Sequence, residues 1–203
     1  PGVFTDTPYP RVAMLWASVR GDNSLEAIAR HDLALVGPGR LGLHYNAEPV
    51  GLATGFTAES QIRARETVAK VRALNADIIL LCEIYFYEWS ERWLPPDHEW
   101  WMREGGERVQ FWPGTYRMDW YSPEYRSHVV GWTASLLDAG IDGVFYDNVR
   151  REPEPWIAFL GDVRAAVGDD FLILANAGYA VGKHDFAAPY LNGVMYESGW
   201  GHD

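Results

Sequence analysis

Two six-residue segments, Asp142-Gly-Val-Phe-Tyr-Asp147 and Asn192-Gly-Val-Met-Tyr-Glu197, follow one pattern, and each ends in a carboxylate. Val, Phe or Met, and Tyr after Gly make an extended apolar run that reads as a β-strand. Side chains alternate along a strand, so Gly143, Phe145 and Asp147 share one face, as do Gly193, Met195 and Glu197. The two acids are therefore expected at matching heights on two similar strands. Paired carboxylates suit hydrolysis of a glycosidic bond: one protonates the leaving oxygen while the other attacks or activates water. The plainer alternative is that acids at strand ends cap helices or bind loop backbone. It weakens for two acids in matched frames with Asn148 and Asn176 nearby. Glu83, ending an earlier strand, stays open between substrate contact and salt bridge. Asp142, at the far end of its strand, and Asp119, before a helix, read as structural.

Strands and helices must alternate to place these groups. Val12 to Trp16 reads as a first strand, followed by a short helix that Ser24 can cap, running to about Arg30. Leu33 to Val36 is a second strand. Thr57 can cap a helix whose apolar positions Ala64, Val68, Val71 and Leu74 recur at helical spacing. Ile78 to Glu83 is an unbroken run of the kind buried on both faces. Ser122-Pro123-Glu124 starts a helix that runs to Ala139 and stops at Gly140. Ile141 to Asp147 follows, then a helix opened by Pro155, with Phe159, Val163 and Val167 inward, and closed by Gly168. Phe171 to Asn176 and Leu191 to Glu197 complete six strands.

Strand–helix alternation means a parallel sheet with helices outside. An α/β fold of (β/α)8 TIM-barrel type fits better than an open doubly wound sheet. No Gly-rich phosphate loop follows the first strand, and the polar residues cluster after the C-terminal strand ends, where barrel enzymes keep their sites. Six strands fall short of eight: either two short strands lie unrecognised in 40–56 or 107–121, or the last two βα units are absent, and absence is favoured. The expectation is one barrel-like catalytic domain over residues 1–203 lacking its last two βα units, with exposed sheet edges that invite homodimerisation.

Charge and composition narrow the chemistry. A net charge of −11 argues against a nucleic-acid partner and suits a cationic substrate, although it also serves as a solubilising surface. No apolar run is long enough to span a membrane. The lone Cys82, inside an apolar run, reads as packing. The histidines lack paired metal-ligand spacing and no nucleophile-elbow serine is present, so neither a metal nor another cofactor is expected. Ten Trp are the outlier, and the stretch 89–120, rich in Trp, Gly and Pro, reads as a long loop. Its rings either wall a sugar groove or pin the loop to the body. Tyr146 and Tyr196, on the opposite strand face, read as packing against helices. Neighbouring strands lie about 4.8 Å apart, which lets acids on alternate strands approach to about 5–9 Å, a range that leaves retention or inversion open.

The run Met118-Asp-Trp-Tyr-Ser-Pro-Glu-Tyr-Arg126, followed by Leu137-Asp-Ala-Gly-Ile-Asp-Gly-Val-Phe-Tyr-Asp-Asn-Val149, resembles glycoside hydrolases related to glycoside hydrolase family 114, which include endo-acting polygalactosaminidases. The matching positions are Asp119, Asp142 to Asn148, and Glu197. The family's pattern usually continues with another acid, where this chain has Arg150-Arg151. The resemblance implies a TIM barrel acting on a poly- or oligosaccharide, with Asp147 as nucleophile and Glu197 as acid/base, and favours a secreted or cell-surface location. Glu83, Asn148, Asn176, Trp16, Trp89, Trp112, Trp120 and Trp200 are the expected substrate contacts. The rival expectation is a non-catalytic carbohydrate-binding barrel that kept the groove and lost the chemistry.

Overall fold

The structure, a computed structural model, describes residues 12–16, 24–46, 55–147, 153–176 and 187–196. Strand β1 (Ala13–Leu15) leads to helix α1 (Leu25–Ala29), whose cap Ser24 accepts a hydrogen bond from the Ala27 amide. Strand β2 (Leu33–Val36) and a 3-10 turn (Pro38–Leu41) precede helix α2 (Ala58–Leu74), capped by Thr57. Strand β3 (Ile79–Ile84) is buried throughout. Five short strands follow: β4 (Glu88–Ser90), β5 (Arg103–Glu104), β6 (Glu107–Arg108), β7 (Gln110–Trp112) and β8 (Thr115–Arg117). Helix α3 (Pro123–Asp138), β9 (Gly143–Tyr146), α4 (Pro153–Val167), β10 (Leu172–Asn176) and β11 (Gly193–Met195) complete the order.

Six strands form one parallel sheet in the order β1-β2-β3-β9-β10-β11, curled with helices on its outer face: an incomplete (β/α)8 barrel. The outer face carries Val36, Cys82, Ile84, Tyr146 and Ala175, which join the main core with Val68, Trp132 and Phe159 of the helices. The inner face holds a smaller cluster, Leu35, Ile79, Leu81 and Phe145, with Trp16, Leu172, Leu174 and Met195 half-buried against it. Cys82 is fully buried, as its apolar setting implies.

Several elements depart from expectation. Stretch 89–120 is not a plain loop; among the described residues it builds a three-stranded sheet, β4-β8-β7, and a hairpin, β5-β6. Gly105 and Gly106 take the left-handed turn of that hairpin, at φ 58° and 90°, which a Cβ would strain. Helix α4 starts at Pro153, two residues before Pro155. Leu74 does not join the core: as the last residue of α2 it is 55% exposed, and Val71 is the buried residue of that turn. Tyr196 is 43% exposed rather than packed, since β11 is the sheet edge and its outer face is uncovered among the described residues.

The matched frames of β9 and β11 also have a measured offset. Leu174 pairs with Phe145 on one side and with Gly193 on the other, so Gly193 is in register with Phe145, not with Gly143. Two residues over two strands is the size of stagger with which a sheet closes into an eight-stranded barrel.

Candidate active site

Asp147 follows β9 directly, at the C-terminal end of the central strands, and is partly exposed. Its Oδ1 accepts a hydrogen bond of 2.7 Å from Asn176 Nδ2, at the end of β10. Asn176 itself is buried. This bond helps to orient the carboxylate at the edge of a cleft of about 550 Å3 that Asp147 lines. Tyr45, Tyr85, Glu88, Trp89, Trp93 and Trp112 are among the residues that line this cleft with Asp147.

Glu83 lies on the same inner face, one strand over. It is 5% exposed, and its Oε1 accepts a 2.7 Å bond from the indole Nε1 of Trp16. Neither a salt bridge nor open substrate contact describes it. Burial raises its pKa; the Trp16 bond lowers it, the Asp147 charge raises it again and the Tyr85 hydroxyl lowers it. The Tyr85 phenol is pushed up to about 12, first by burial and then by the charges of Glu83 and Asp147. Glu88 and Asp147 line the cleft, and the buried Glu83 adds its charge beside Tyr85, so the surroundings are acidic.

The expected tryptophans divide. Trp112 is 61% exposed at the cleft. Trp89 also lines the cleft but is nearly buried, with its ring 4.7 Å from that of Trp132. Trp120 is a correction: at 2% exposure it sits among Phe86, Tyr87 and Trp156, where a sugar has no access. Glu197, Asn148 and Trp200 lie outside the described residues.

Asp142, at the other end of β9, is tied to Arg72 at 2.6 Å and to the Leu80 amide at 2.8 Å. Asp119 accepts from the Tyr121 amide, a local turn contact. Tyr146 packs outward, its hydroxyl 2.5 Å from that of Thr133 on α3. Among the described residues no three His, Cys, Asp or Glu side chains converge as a metal ion requires. No described helix is long and apolar enough to cross a membrane. Tyr85 and Glu88 went unnoticed in the sequence. Tyr85 was within reach of the period-2 rule, two residues after Glu83 on the same face.

Comparison with known proteins bears on the family and the fold. Residues 84–197 match the model of a family described as Hypothetical glycosyl hydrolase family 15. The chain is 23% identical over 204 aligned residues to the uncharacterized protein MJ1477 of Methanocaldococcus jannaschii, covering 92% of this chain and 54% of that protein. It thus spans about half the length of that curated relative. Among solved structures, a noncanonic maltogenic alpha-amylase, AmyB from Thermotoga neapolitana, superposes with a TM-score of 0.59 at 12% identity, over 85% of this chain and 43% of that one. Ega3 of Aspergillus fumigatus, in complex with galactosamine, gives 0.55 at 13% identity, over 96% and 71%. At such identities the likeness is one of fold.

Proposed function

The chain belongs to hypothetical glycosyl hydrolase family 15, and from that premise we propose that it hydrolyses a poly- or oligosaccharide through Asp147 and Glu197. The observation that carries the reading is Asp147, aimed by Asn176 into an aromatic-walled cleft at the C-terminal end of the strands. In this reading Asp147 is the nucleophile. Its carboxylate attacks the anomeric carbon while Glu197 protonates the departing oxygen, and Glu197 then takes a proton from the water that releases the sugar. Asn148, Asn176, Trp89, Trp112 and Trp200 contribute contacts along the groove.

We place the substrate among amino sugars with free amines, as in the polygalactosaminidases related to family 114. An acidic cleft on a chain of net charge −11 favours a cation, and the fold neighbour from Aspergillus fumigatus binds galactosamine. The test is release of reducing ends from galactosamine oligosaccharides and from their N-acetylated counterparts. Cleavage of the free-amine series, abolished by Asp147→Asn and by Glu197→Gln, is the expected result. Binding without turnover would instead favour the non-catalytic carbohydrate-binding barrel.

A further inference from the structure

Trp16 combines three features that no packing need explains together. Its backbone is left-handed, at φ 59°, and no other described non-glycine residue has positive φ. A residue with a Cβ holds that conformation only where its surroundings enforce it. The enforcement is visible: the Trp16 amide donates to the Leu35 carbonyl at 2.7 Å, and its indole N–H donates to Glu83 at 2.7 Å across the intervening strand. The third feature is where the ring ends up. It meets Phe145 edge-on at 5.9 Å, over the inner face of the sheet, and stays only partly buried. Phe145 lies two residues before Asp147 on the same face of β9.

Glu83 is correspondingly ill suited to touch a substrate. It is 5% exposed, and burying a carboxylate is costly unless it is well bonded. A buried charge is kept here for what it holds. We propose that Glu83 is a positioning residue that orients the Trp16 indole as the apolar wall of the sugar site beside Asp147. This rests on the glycoside hydrolase reading and adds to it the residue that fixes the sugar's orientation. An indole face packs against sugar C–H groups, and its angle then decides how the anomeric carbon meets the nucleophile.

Nitrogen-15 spectra of the full chain test this through the indole N–H resonances, with Trp16 assigned by its loss in Trp16→Phe. A galactosamine hexasaccharide is the probe. The expected result is that the Trp16 and Trp112 resonances both move on titration. If Trp112 moves and Trp16 does not, the wall is elsewhere and the proposal falls while the carbohydrate reading stands. If neither moves, the carbohydrate reading falls and takes the proposal with it.

Kinetics supply the second arm, on variants first shown by far-ultraviolet dichroism to be folded at the assay temperature. Glu83→Gln keeps an acceptor for the indole, so its kcat should stay within about threefold of wild type. Glu83→Ala frees the ring and should lower kcat by roughly 30-fold with a smaller change in KM, as misorientation does. A Glu83→Gln loss as large as that of Glu83→Ala would show that the charge itself acts in the chemistry, and would overturn a positioning role.

Discussion

Strands β9 and β11 share a sequence pattern and one neighbour, β10, but differ in how deeply they are buried. β9 lies between β3 and β10, buried on both faces, whereas β11 is the last strand of the sheet among the described residues. A Cβ on Gly143 would fall 2.4 Å from the Leu172 carbonyl oxygen and 2.6 Å from Leu81 Cδ2. On Gly193 it would meet nothing nearer than Leu174 Cγ at 3.4 Å. Tyr146 is fully buried with a hydroxyl partner, and Tyr196 is 43% exposed. A repeated motif therefore fixes how a strand presents its side chains, while neighbouring strands decide what each one costs to change.

The largest test of this contrast is chemical, because both strands are proposed to end in the reacting acids. Asp147→Asn and Glu197→Gln should each lower kcat/KM by roughly a thousandfold or more on a galactosamine oligosaccharide, with unchanged far-ultraviolet dichroism. Equal losses would mean that the edge strand matters as much to catalysis as the central one. A mild Glu197→Gln effect would confine the chemistry to the centre.

The glycines come next. Gly143→Ala forces a methyl into backbone and should cost about 3 kcal/mol of unfolding free energy in a urea titration. Gly193→Ala places its methyl at ordinary contact distance and should change stability by less than about 0.5 kcal/mol. If both variants unfold at the same urea concentration, the register described above is wrong.

A smaller difference separates the tyrosines. Thr133 Oγ1 also donates to the Val129 carbonyl at 3.0 Å, so the Tyr146 hydroxyl is the natural donor to it. Tyr146→Phe deletes that bond and should cost about 1 kcal/mol. Tyr196→Phe should leave the unfolding midpoint where it is, since its ring is already wet.

What could be foreseen follows from how local each signal is. Ser24, Thr57 and Ser122 cap helices through bonds made within three residues, so sequence spacing alone reveals them. The inward set Phe145 and Asp147 follows from alternation. The strands of 88–117 were hidden because each spans two or three residues, too few for any period to register, and two of them, β5 and β6, carry charge at exposed positions. Their one clear mark, Gly105-Gly106, suits a hairpin as well as a loop. Trp120 shows the limit of composition: one more ring in an aromatic-rich stretch, it is sent to the core by contacts with Phe86 and Trp156 that no spacing announces. Glu83 was recognisable as an inward acid, but its tie to Trp16 spans 67 residues and only the fold creates it.

The smallest effect concerns pH, and it again sets the centre of the sheet against its edge. Glu83 is buried on β3, beside β9, and its pKa is raised above the ordinary carboxylate value of 4.5. Burial is the first cause. The folded chain then holds that proton more tightly than the unfolded chain does, so stability falls as pH rises between the two values. Below 4.5 both states are protonated and the penalty disappears. Glu83→Gln removes the titration, so it should gain on wild type as pH climbs from 4.5 through the folded value, then hold a constant advantage. Parallel urea titrations of the two proteins from pH 4 to 8 measure the gap. A gap that is flat over this range would mean that the Trp16 bond offsets the burial fully, leaving the central acid as easily ionised as an ordinary carboxylate.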